Sequence, residues 1–491
     1  MSEYLRGTRT VVIVGAGFSG STLAINLLRQ LHAQPLRIVL IERSLSAGGV
    51  AYARRSYPYL LNVPAARMSA HSLDPAEFLR FARRSRPSVS AEDFLPRELY
   101  GEYLQASLAS AEASAAPHVA LKRLRGSVIA LEQPHRDRVL KVHLADGRNL
   151  SADAAVLALG NPPPSPINGS EALRGSPRYI EDPWQSAAAI RAGETVLMIG
   201  TGLTMVDTVL AGMQAARGQA VFHAISRHGL LPAAQRPARQ LGGEDGTSLV
   251  KAASLSLRHL WRATRSLAES LQRSNGDWRE AVALVRDLAP TLWQRLPPSE
   301  RRRFLRHARC YWDIHRHRLP ESISAALDEL RRSDKLRMHA GRILEMQPAD
   351  QKIQVKWRAR GSSETTTLSV DRVINCTGPD YDVQHTRERL LRSLLAQGIA
   401  LRDPLGLGLV TDERGALVDI AGRAAANIYY LGPMLRARYW ETTAVTELRA
   451  HAARLARHLT RADDWRAVPD SGHVRGVQVA SAPTYAGATI R

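Results

Sequence analysis

Two glycine-rich turns constrain the fold of this 491-residue chain more than any other feature of its sequence. The first, GAGFSG, follows the β-branched run VVIV and precedes a long apolar stretch. This order predicts a strand over 10–14, a helix over 19–32 and a second strand over 37–42. A glycine turn between a buried strand and a helix is typical of βαβ units that hold a dinucleotide pyrophosphate at the helix N-terminus.

The residue types of this first unit suit a dinucleotide with a free adenosine ribose. Gly15 permits the tight turn, Gly17 lets a pyrophosphate approach the backbone, and Gly20 allows close packing of the helix. Glu42 ends the second predicted strand, where a carboxylate can accept hydrogen bonds from both ribose hydroxyls. The other predicted contacts of this unit are Phe18, Ser19 and Arg43.

The second turn, GTGLTMVD, begins at Gly200 between predicted strands over 196–199 and 221–225, with a helix over 204–215. Counting 27 residues from the first glycine reaches Glu42 in the first unit and Arg227 in the second. An arginine can bind a 2′-phosphate that a carboxylate would repel. The second unit is therefore predicted to prefer NADPH, with NADH possible, unless Arg227 is an ordinary surface arginine. Its predicted contacts are Gly200, Gly202, Leu203, Thr204, Ser226 and Arg227.

The cysteine content decides what two dinucleotide sites can do together. Cys310 and Cys376 lie far apart in the sequence, so no redox pair, thiolate metal cluster or disulfide framework is expected. Two dinucleotide sites without a redox pair imply hydride transfer from NADPH to a flavin, and onward transfer to oxygen or another acceptor. The composition suits a cytoplasmic protein. His315 and His317 would point to different sides of a helix, so no metal is expected.

The net charge of +21 comes from 67 Lys and Arg residues against 46 Asp and Glu residues. No nucleic-acid-binding signature accompanies it, so no nucleic-acid partner is expected, and anionic cofactors and substrates are the alternative. The apolar run over 11–28 contains a glycine loop and polar residues, so neither a membrane anchor nor a signal peptide is expected there. Residues from about 250 to 330 predict a basic helical insertion, which is either a solvated face over an aromatic core or a lid over the active site.

Several sequence blocks carry a family resemblance that spans residues 10–459. The blocks are ERSLSAGGVAY, YLLNVPAARMSAHSLDPAEFLRFA, LPRELYGEYL, EDPWQS, FLRHARCYWDIHRHRLP and YYLGPMLRARYWETTAVTELRAHAARLA. Together they resemble the FAD/NAD(P)-binding family that includes FAD-dependent urate hydroxylases of the HpyO type and aspartate N-monooxygenases of the CreE type.

The resemblance implies an α/β fold with two Rossmann-like dinucleotide-binding domains, in which an NADPH domain is inserted into a split FAD domain. The implied division is 1–178 and 366–491 for the FAD domain and 179–365 for the NADPH domain, which carries the helical insertion. The chain would pass between domains near Gly160 and Gly378, where apolar strands end at glycine. The implied flavin contacts add Gly49, Asn62, Val63, Gly160, Gly378, Gly432 and Thr442, the last at the start of a helix.

The resemblance also implies an activity, and three readings remain open. The first is an NADPH-using monooxygenase that hydroxylates urate to 5-hydroxyisourate through a C4a-hydroperoxyflavin. The second is N-hydroxylation of an amino acid such as aspartate, and the third is a flavin-bound electron-transfer or redox-sensing protein. The expected partners are a small anionic nitrogenous substrate and molecular oxygen, and the oligomeric state is not indicated. The flavin-proximal candidates for substrate contact are Arg436, Arg438, Tyr439, Trp440 and Glu441.

Overall fold

The computed structural model describes residues 7–43, 48–133, 139–185, 190–236, 241 and 243–461. The last part of the predicted C-terminal domain, 462–491, lies outside the described residues, as do short pieces of two blocks that carry the family resemblance, 44–47 and Ser186.

The described chain contains sixteen strands and fourteen helices, besides short 3-10 and π-helical turns. The strands are β1 (Arg9–Val14), β2 (Leu36–Glu42), β3 (Val119–Arg125), β4 (Val128–Glu132), β5 (Leu140–Leu144), β6 (Asn149–Ala152), β7 (Ala154–Leu157), β8 (Tyr179–Ile180), β9 (Thr195–Ile199), β10 (Val221–Ser226), β11 (Leu336–Ala349), β12 (Lys352–Ala359), β13 (Thr365–Val370), β14 (Arg372–Asn375), β15 (Ala416–Val418) and β16 (Ala424–Tyr430). The helices are α1 (Phe18–Arg29), α2 (Gly49–Tyr52), α3 (Glu77–Ser85), α4 (Arg97–Ala113), α5 (Leu203–Ala215), α6 (Gly243–Leu255), α7 (Leu257–Arg273), α8 (Trp278–Arg295), α9 (Pro298–Arg303), α10 (Arg309–Arg316), α11 (Glu321–Arg332), α12 (Arg389–Ala396), α13 (Arg436–Tyr439) and α14 (Val445–Thr460).

A six-stranded sheet forms the first unit, in the order β15-β16-β7-β1-β2-β3. The strands from β16 to β3 run parallel, and β15 pairs antiparallel with β16. Every residue of β1 is buried, as expected of a central parallel strand that is covered on both faces. Helices α1, α4 and α14 pack together beside this sheet, and β4, β5 and β6 form a separate three-stranded antiparallel sheet.

A seven-stranded sheet forms the second unit, in the order β13-β12-β11-β10-β9-β14-β8. The strands from β11 to β8 run parallel, while β12 and β13 pair antiparallel. The predicted α/β fold with two Rossmann-like units is therefore confirmed. The domain boundaries stay a prediction, and the second sheet extends beyond residue 365 because it includes β14.

The two connections between the sheets lie side by side. One leaves the first sheet after β7, and the other leaves the second sheet after β14. Asn375 Nδ2 donates to Ser165 O at 2.7 Å, Asp380 N–H donates to Pro163 O at 3.1 Å, and the Tyr381 hydroxyl donates to Asn161 Oδ1 at 2.8 Å. These hydrogen bonds connect the segment that follows β7 with β14 and the segment that follows it.

Helices α6 to α11 form the insertion between β10 and β11, where a helical insertion is predicted. Its core cluster includes Trp293, which stacks on Trp440 with ring centroids 5.0 Å apart. The insertion therefore packs against the segment before α14. None of the helices in the described part of the chain is long and apolar enough to cross a membrane. No group of three or more potential metal-binding side chains is found among the described residues.

The predicted start of the last helix near Thr442 is wrong, because α14 begins at Val445 with Ala444 as its N-cap. Trp440 has φ +59° and Ala444 is extended, so the backbone between them cannot be helical. Thr442 therefore lies in the connecting segment before the helix.

Candidate functional site

The first glycine turn needs its glycines for steric reasons. Gly15 has φ +108°, and its N–H donates to Ile41 O at 2.8 Å. A Cβ on Gly15 would lie 2.3 Å from Ala158 O, and a Cβ on Gly20 would lie 1.8 Å from Gly15 O. Any side chain at either position would push β7 or α1 away. The two glycines thus let α1 start directly against the carboxyl edge of the sheet.

Gly17 and Gly49 form a bare backbone cradle in front of α1. A Cβ on Gly49 would lie 3.1 Å from Gly17 Cα, and the backbone also approaches where Gly48 N–H donates to Ala16 O at 3.3 Å. The N–H groups of the first turn of a helix have no partner within the helix. A pyrophosphate fits this cradle because no side chain blocks the helix N-terminus. The side chains of Phe18 and Ser19, two other predicted contacts, are buried in the core.

Glu42 stands at the end of β2 with its carboxylate beside this turn. Its Oε2 accepts a hydrogen bond from Ala16 N–H at 2.8 Å, and its Oε1 accepts one from Arg43 N–H at 2.7 Å. A carboxylate has about four acceptor positions, so two remain for ribose hydroxyls. The Arg43 side chain is largely exposed and forms an ion pair with Glu388 at 3.2 Å.

The second glycine turn repeats this geometry. Gly200 has φ +110°, its N–H donates to Ile225 O at 2.8 Å, and a Cβ on it would lie 2.3 Å from Cys376 O. A Cβ on Gly202 would meet no heavy atom within 4 Å, so the space in front of α5 is open. Met205 stands at the third glycine position and is fully buried. The side chains of Leu203 and Thr204 are partly buried in the first turn of α5.

The hydrogen-bond register corrects the predicted equivalence of Glu42 and Arg227. In the two units Ile41 and Ile225 occupy the same position, because each accepts from the first glycine and ends a matching strand pair. Ser226 therefore stands where Glu42 stands, and its Oγ lies 3.0 Å from Thr201 Oγ1. The segment from the first glycine of the turn to the end of the second strand is one residue shorter in the second unit than in the first. Counting a fixed number of residues along the sequence cannot detect this difference. Arg227 follows as an exposed side chain.

Three further predicted glycines lie just beyond strand ends. Gly160 follows β7 and Gly378 follows β14, with φ +71° and +85°, and a Cβ on either would meet no heavy atom within 4 Å. Gly432 follows β16, the strand beside β7. Gly15, Gly160 and Gly432 thus lie at one edge of the first sheet.

The remaining predicted flavin contacts lie in loops. Asn62 and Val63 are partly buried in the loop before the 3-10 turn Ala65–Arg67. Thr442 is fully buried, and its Oγ1 has no hydrogen-bond partner among the described residues. A buried hydroxyl without a partner is costly and fits a group supplied by a ligand.

The structure does not bring the five substrate candidates together as one open patch. The Arg436 guanidinium lies over the rings of Tyr381 and Trp440, at 4.7 and 4.4 Å from their centroids. Burial lowers the pKa of Arg436 below its ordinary value. Arg438 donates to Thr411 O at 3.3 Å, and the Tyr439 hydroxyl donates to Glu413 O at 3.2 Å.

Glu441 is held by the insertion. It accepts from Trp312 Nε1 at 2.8 Å and from Arg316 Nε at 3.1 Å. Burial alone would raise the pKa of Glu441, but the nearby Arg316 charge and the Trp312 hydrogen bond bring it below its ordinary value. These contacts connect the candidate patch to the insertion, and contact with substrate stays a prediction.

An ion pair that the sequence does not indicate joins the two units. Arg97 at the start of α4 donates to Asp207 of α5 at 2.7 Å, and its Nε donates to Leu60 O at 3.1 Å. Burial raises the pKa of Asp207, which Arg97 partly counteracts. The two residues are 110 positions apart, so no local pattern could have paired them.

Comparison with protein families finds a similarity in the N-terminal part of the first unit. Residues 12–162 match the model of a family described as FAD-NAD(P)-binding. This match confirms the predicted class of cofactors. A search of curated proteins finds no match.

Solved structures of similar fold extend over nearly the whole chain. The reduced ornithine hydroxylase PvdA from Pseudomonas aeruginosa has a TM-score of 0.61 at 16% identity, covering 92% of this chain and 99% of that chain. FAD-bound DfoA, a cadaverine monooxygenase of desferrioxamine biosynthesis from Erwinia amylovora, has a TM-score of 0.62 at 12% identity, covering 98% and 99%. The ornithine N-hydroxylase KtzI from Kutzneria sp. 744, with reduced FAD, NADP⁺ and L-ornithine, has a TM-score of 0.59 at 16% identity, covering 92% and 99%. At these identities the likeness establishes a shared fold.

Proposed function

We propose that this protein is an FAD- and NADPH-dependent monooxygenase that hydroxylates the nitrogen of a small amine. The observation that carries the proposal is the pair of glycine turns, one beside a carboxylate and the other beside a serine and an arginine. Support also comes from the fold, since the similar structures include ornithine and cadaverine hydroxylating enzymes. The comparisons favour the N-hydroxylation expected as the second reading over the hydroxylation of urate.

FAD is proposed to occupy the first unit. Gly17 and Gly49, which have no side chains, would leave the backbone at the N-terminus of α1 accessible to its pyrophosphate, and Gly15 and Gly20 would let the turn and the helix pack closely enough to place that N-terminus. Glu42 would accept hydrogen bonds from the adenosine ribose. Asn62, Val63, Gly160, Gly378, Gly432 and Thr442 are proposed to surround the flavin ring. The proposed FAD domain comprises 1–178 and 366–491 without β13 and β14, which belong to the second unit because β13 pairs with β12 and β14 pairs with β9.

NADPH is proposed to occupy the second unit. Gly202 leaves open space in front of α5, so a second pyrophosphate can approach that helix N-terminus. Ser226 replaces the carboxylate of the first unit and removes the charge that would repel a 2′-phosphate. Arg227, which is exposed beside it, would bind that phosphate.

The protein residues would bind and orient the reactants. FAD, when bound here and reduced by NADPH, would let molecular oxygen transfer one atom to a nucleophilic amine, while the other oxygen atom leaves as water. The Arg97–Asp207 ion pair would hold α5 of the second unit against α4 of the first, and so would fix the distance between the two nucleotides.

Product analysis tests the proposal. Purified protein with FAD and NADPH is incubated separately with L-ornithine, L-lysine, cadaverine, L-aspartate and urate, and without substrate. We expect at least one amine to stimulate NADPH oxidation and to yield a hydroxylamine, detected by mass spectrometry as the addition of one oxygen atom. Loss of urate in the absence of any hydroxylated amine would contradict the proposal, as would equal NADPH oxidation in all six reactions.

A further inference from the structure

The helical insertion contains an apolar cavity. This insertion cavity has a volume of about 270 Å³, slightly below the usual range for ligand sites. Five of the eight tryptophans of the chain line it, and each contributes a large apolar surface. They are Trp261, Trp278, Trp293, Trp312 and Trp440.

A basic groove adjoins the insertion cavity. Both are lined by Leu257, Trp261, Arg265 and Tyr311, so the side chains of these residues form the boundary between the two. The basic groove has a volume of about 740 Å³. Its lining includes one carboxylate, Glu269, against five basic side chains, which are Arg258, Arg262, Arg265, Arg303 and His307.

The charge of the basic groove is only partly neutralised. Arg265 lies 3.7 Å from Glu269, and Arg303 pairs with Glu300 at 2.7 Å. No carboxylate among the described residues pairs with Arg258 or Arg262, which occupy one face of α7 at a spacing of four residues. The basic groove therefore favours an anion.

A π-helical turn lies in the wall shared by the insertion cavity and the basic groove. The turn spans Phe304–Ala308 and separates α9 from α10. Phe304 lines the insertion cavity, while His307 and Ala308 line the basic groove. π-helical turns are rare and occur frequently at functional sites, because they shift side chains away from ordinary helical positions. Here the turn directs an aromatic ring to one side and a basic side chain to the other.

We propose that the insertion binds a small amphipathic carboxylate, with its apolar part in the insertion cavity and its carboxylate on the arginines of the basic groove. The two halves of the site have complementary chemistry, and Arg265 lines both, so a carboxylate bound to Arg265 would lie beside the insertion cavity. This ligand site is lined by the insertion and by Trp440, and its occupancy does not depend on the proposed hydroxylation.

Calorimetry with matched ligands tests this inference on the full chain. Octanoate, octylamine and acetate separate the contributions of the apolar tail and of the charge. We expect octanoate to bind and to change tryptophan fluorescence, and we expect octylamine and acetate to bind at least about tenfold more weakly. Octylamine binding as tightly as octanoate would overturn the inference.

Two variants locate the site. The double variant Arg258→Gln/Arg262→Gln should weaken octanoate binding about tenfold, and Ala268→Phe, which places a ring in the insertion cavity, should weaken it at least as much. The control Arg331→Gln/Arg332→Gln removes the same charge from exposed positions on α11 and should bind octanoate as the wild type does. Wild-type affinity in the Arg258/Arg262 variant or in Ala268→Phe would overturn the inference, as would an equal loss in the control.

Discussion

Ser226 and Glu42 stand at equivalent positions at the ends of two strands, yet they differ in charge. Each lies beside the residue that follows the first glycine of its unit: Glu42 accepts from Ala16 N–H, and Ser226 contacts the Thr201 hydroxyl. The backbone geometry is therefore the same, and we propose that the side chain at this position helps to decide which nucleotide is accepted. The positive charge that distinguishes the second unit comes from Arg227, one residue later.

Replacing Arg227 with glutamate tests this assignment. Arg227→Glu should lower kcat/KM for NADPH at least about tenfold and leave kcat/KM for NADH nearly unchanged, because only NADPH carries the 2′-phosphate. The control Arg191→Glu makes the same charge change at an exposed position before β9, at the opposite edge of the sheet. Steady-state kinetics with both cofactors gives the ratio, and a parallel loss for NADH would contradict the assignment.

His223 gives the stability of the second unit a pH dependence. Burial lowers the pKa of His223 to about 4, with a further contribution from His339, whose ring stacks on it at 5.2 Å. A depressed histidine pKa means that the unfolded chain binds the proton more strongly than the folded protein does. Stability contributed by neutral His223 is therefore complete above the ordinary pKa of 6.5, and it is lost as the pH falls toward 4.

Thermal unfolding across this range provides the measurement. The midpoint temperature of unfolding should decrease as the pH is lowered from 6.5 to 4 in the wild type. His223→Gln should make this decrease with pH less steep, because glutamine does not titrate. An unchanged slope in His223→Gln would show that other groups cause the dependence.

At the scale of secondary-structure elements, the two strand–turn–helix units differ in how tightly the helix meets the turn. At the third position of the turn, Gly20 lies against Gly15 O, whereas the second unit accommodates the buried side chain of Met205 there; Gly202, at the second position, faces open space. Gly20→Ala should therefore destabilise the fold by about 2 kcal/mol or more, because α1 must move away from the turn.

Gly202→Ala should change the free energy of unfolding by less than about 0.5 kcal/mol but weaken NADPH binding at least tenfold, since its methyl group would occupy the space of the pyrophosphate. Chemical denaturation and NADPH titration of both variants separate the effects. Normal NADPH affinity in Gly202→Ala would contradict the second site.

A buried ion pair between Arg316 and Glu441 connects α10 to the segment before α14. Glu441→Gln should destabilise the protein by about 2 to 4 kcal/mol, because Arg316 then remains buried without a counter-charge. The control Glu269→Gln breaks an exposed pair on α7 and should cost less than about 0.5 kcal/mol. Urea denaturation provides both values, and equal costs would refute the role of the buried pair.

Local sequence patterns predicted the strands and helices that carry the glycine turns. They did not predict the features that depend on contacts between distant parts of the chain. The strands and helices of both βαβ units lie within a few residues of their predicted bounds because apolar periodicity and glycine are local signals. The equivalence of Ser226 and Glu42 depends on strand pairing, and the start of α14 depends on Trp440, which packs against the insertion. The contacts of Arg97 with Asp207 and of Glu441 with Arg316 join distant segments, for which the sequence has no local signal.

At the scale of the whole molecule, one chain carries two Rossmann-like units, and the proposed reaction requires their nucleotides to act on each other. The hydrogen bonds between the crossing segments and the Arg97–Asp207 ion pair join the two sheets at separate points. Hydride transfer requires the nicotinamide to reach the flavin, so these connections must set or permit the approach of the two rings.

Anaerobic reduction of the purified protein tests the central claim most directly. The protein should bind one FAD per chain and turn yellow, and NADPH should bleach that colour rapidly. Gly202→Ala should still bind FAD and still be bleached by dithionite, but NADPH should bleach it at least tenfold more slowly. A folded protein that binds no FAD, or a Gly202→Ala variant that NADPH bleaches as fast as the wild type, would contradict the account of two distinct nucleotide sites on one chain.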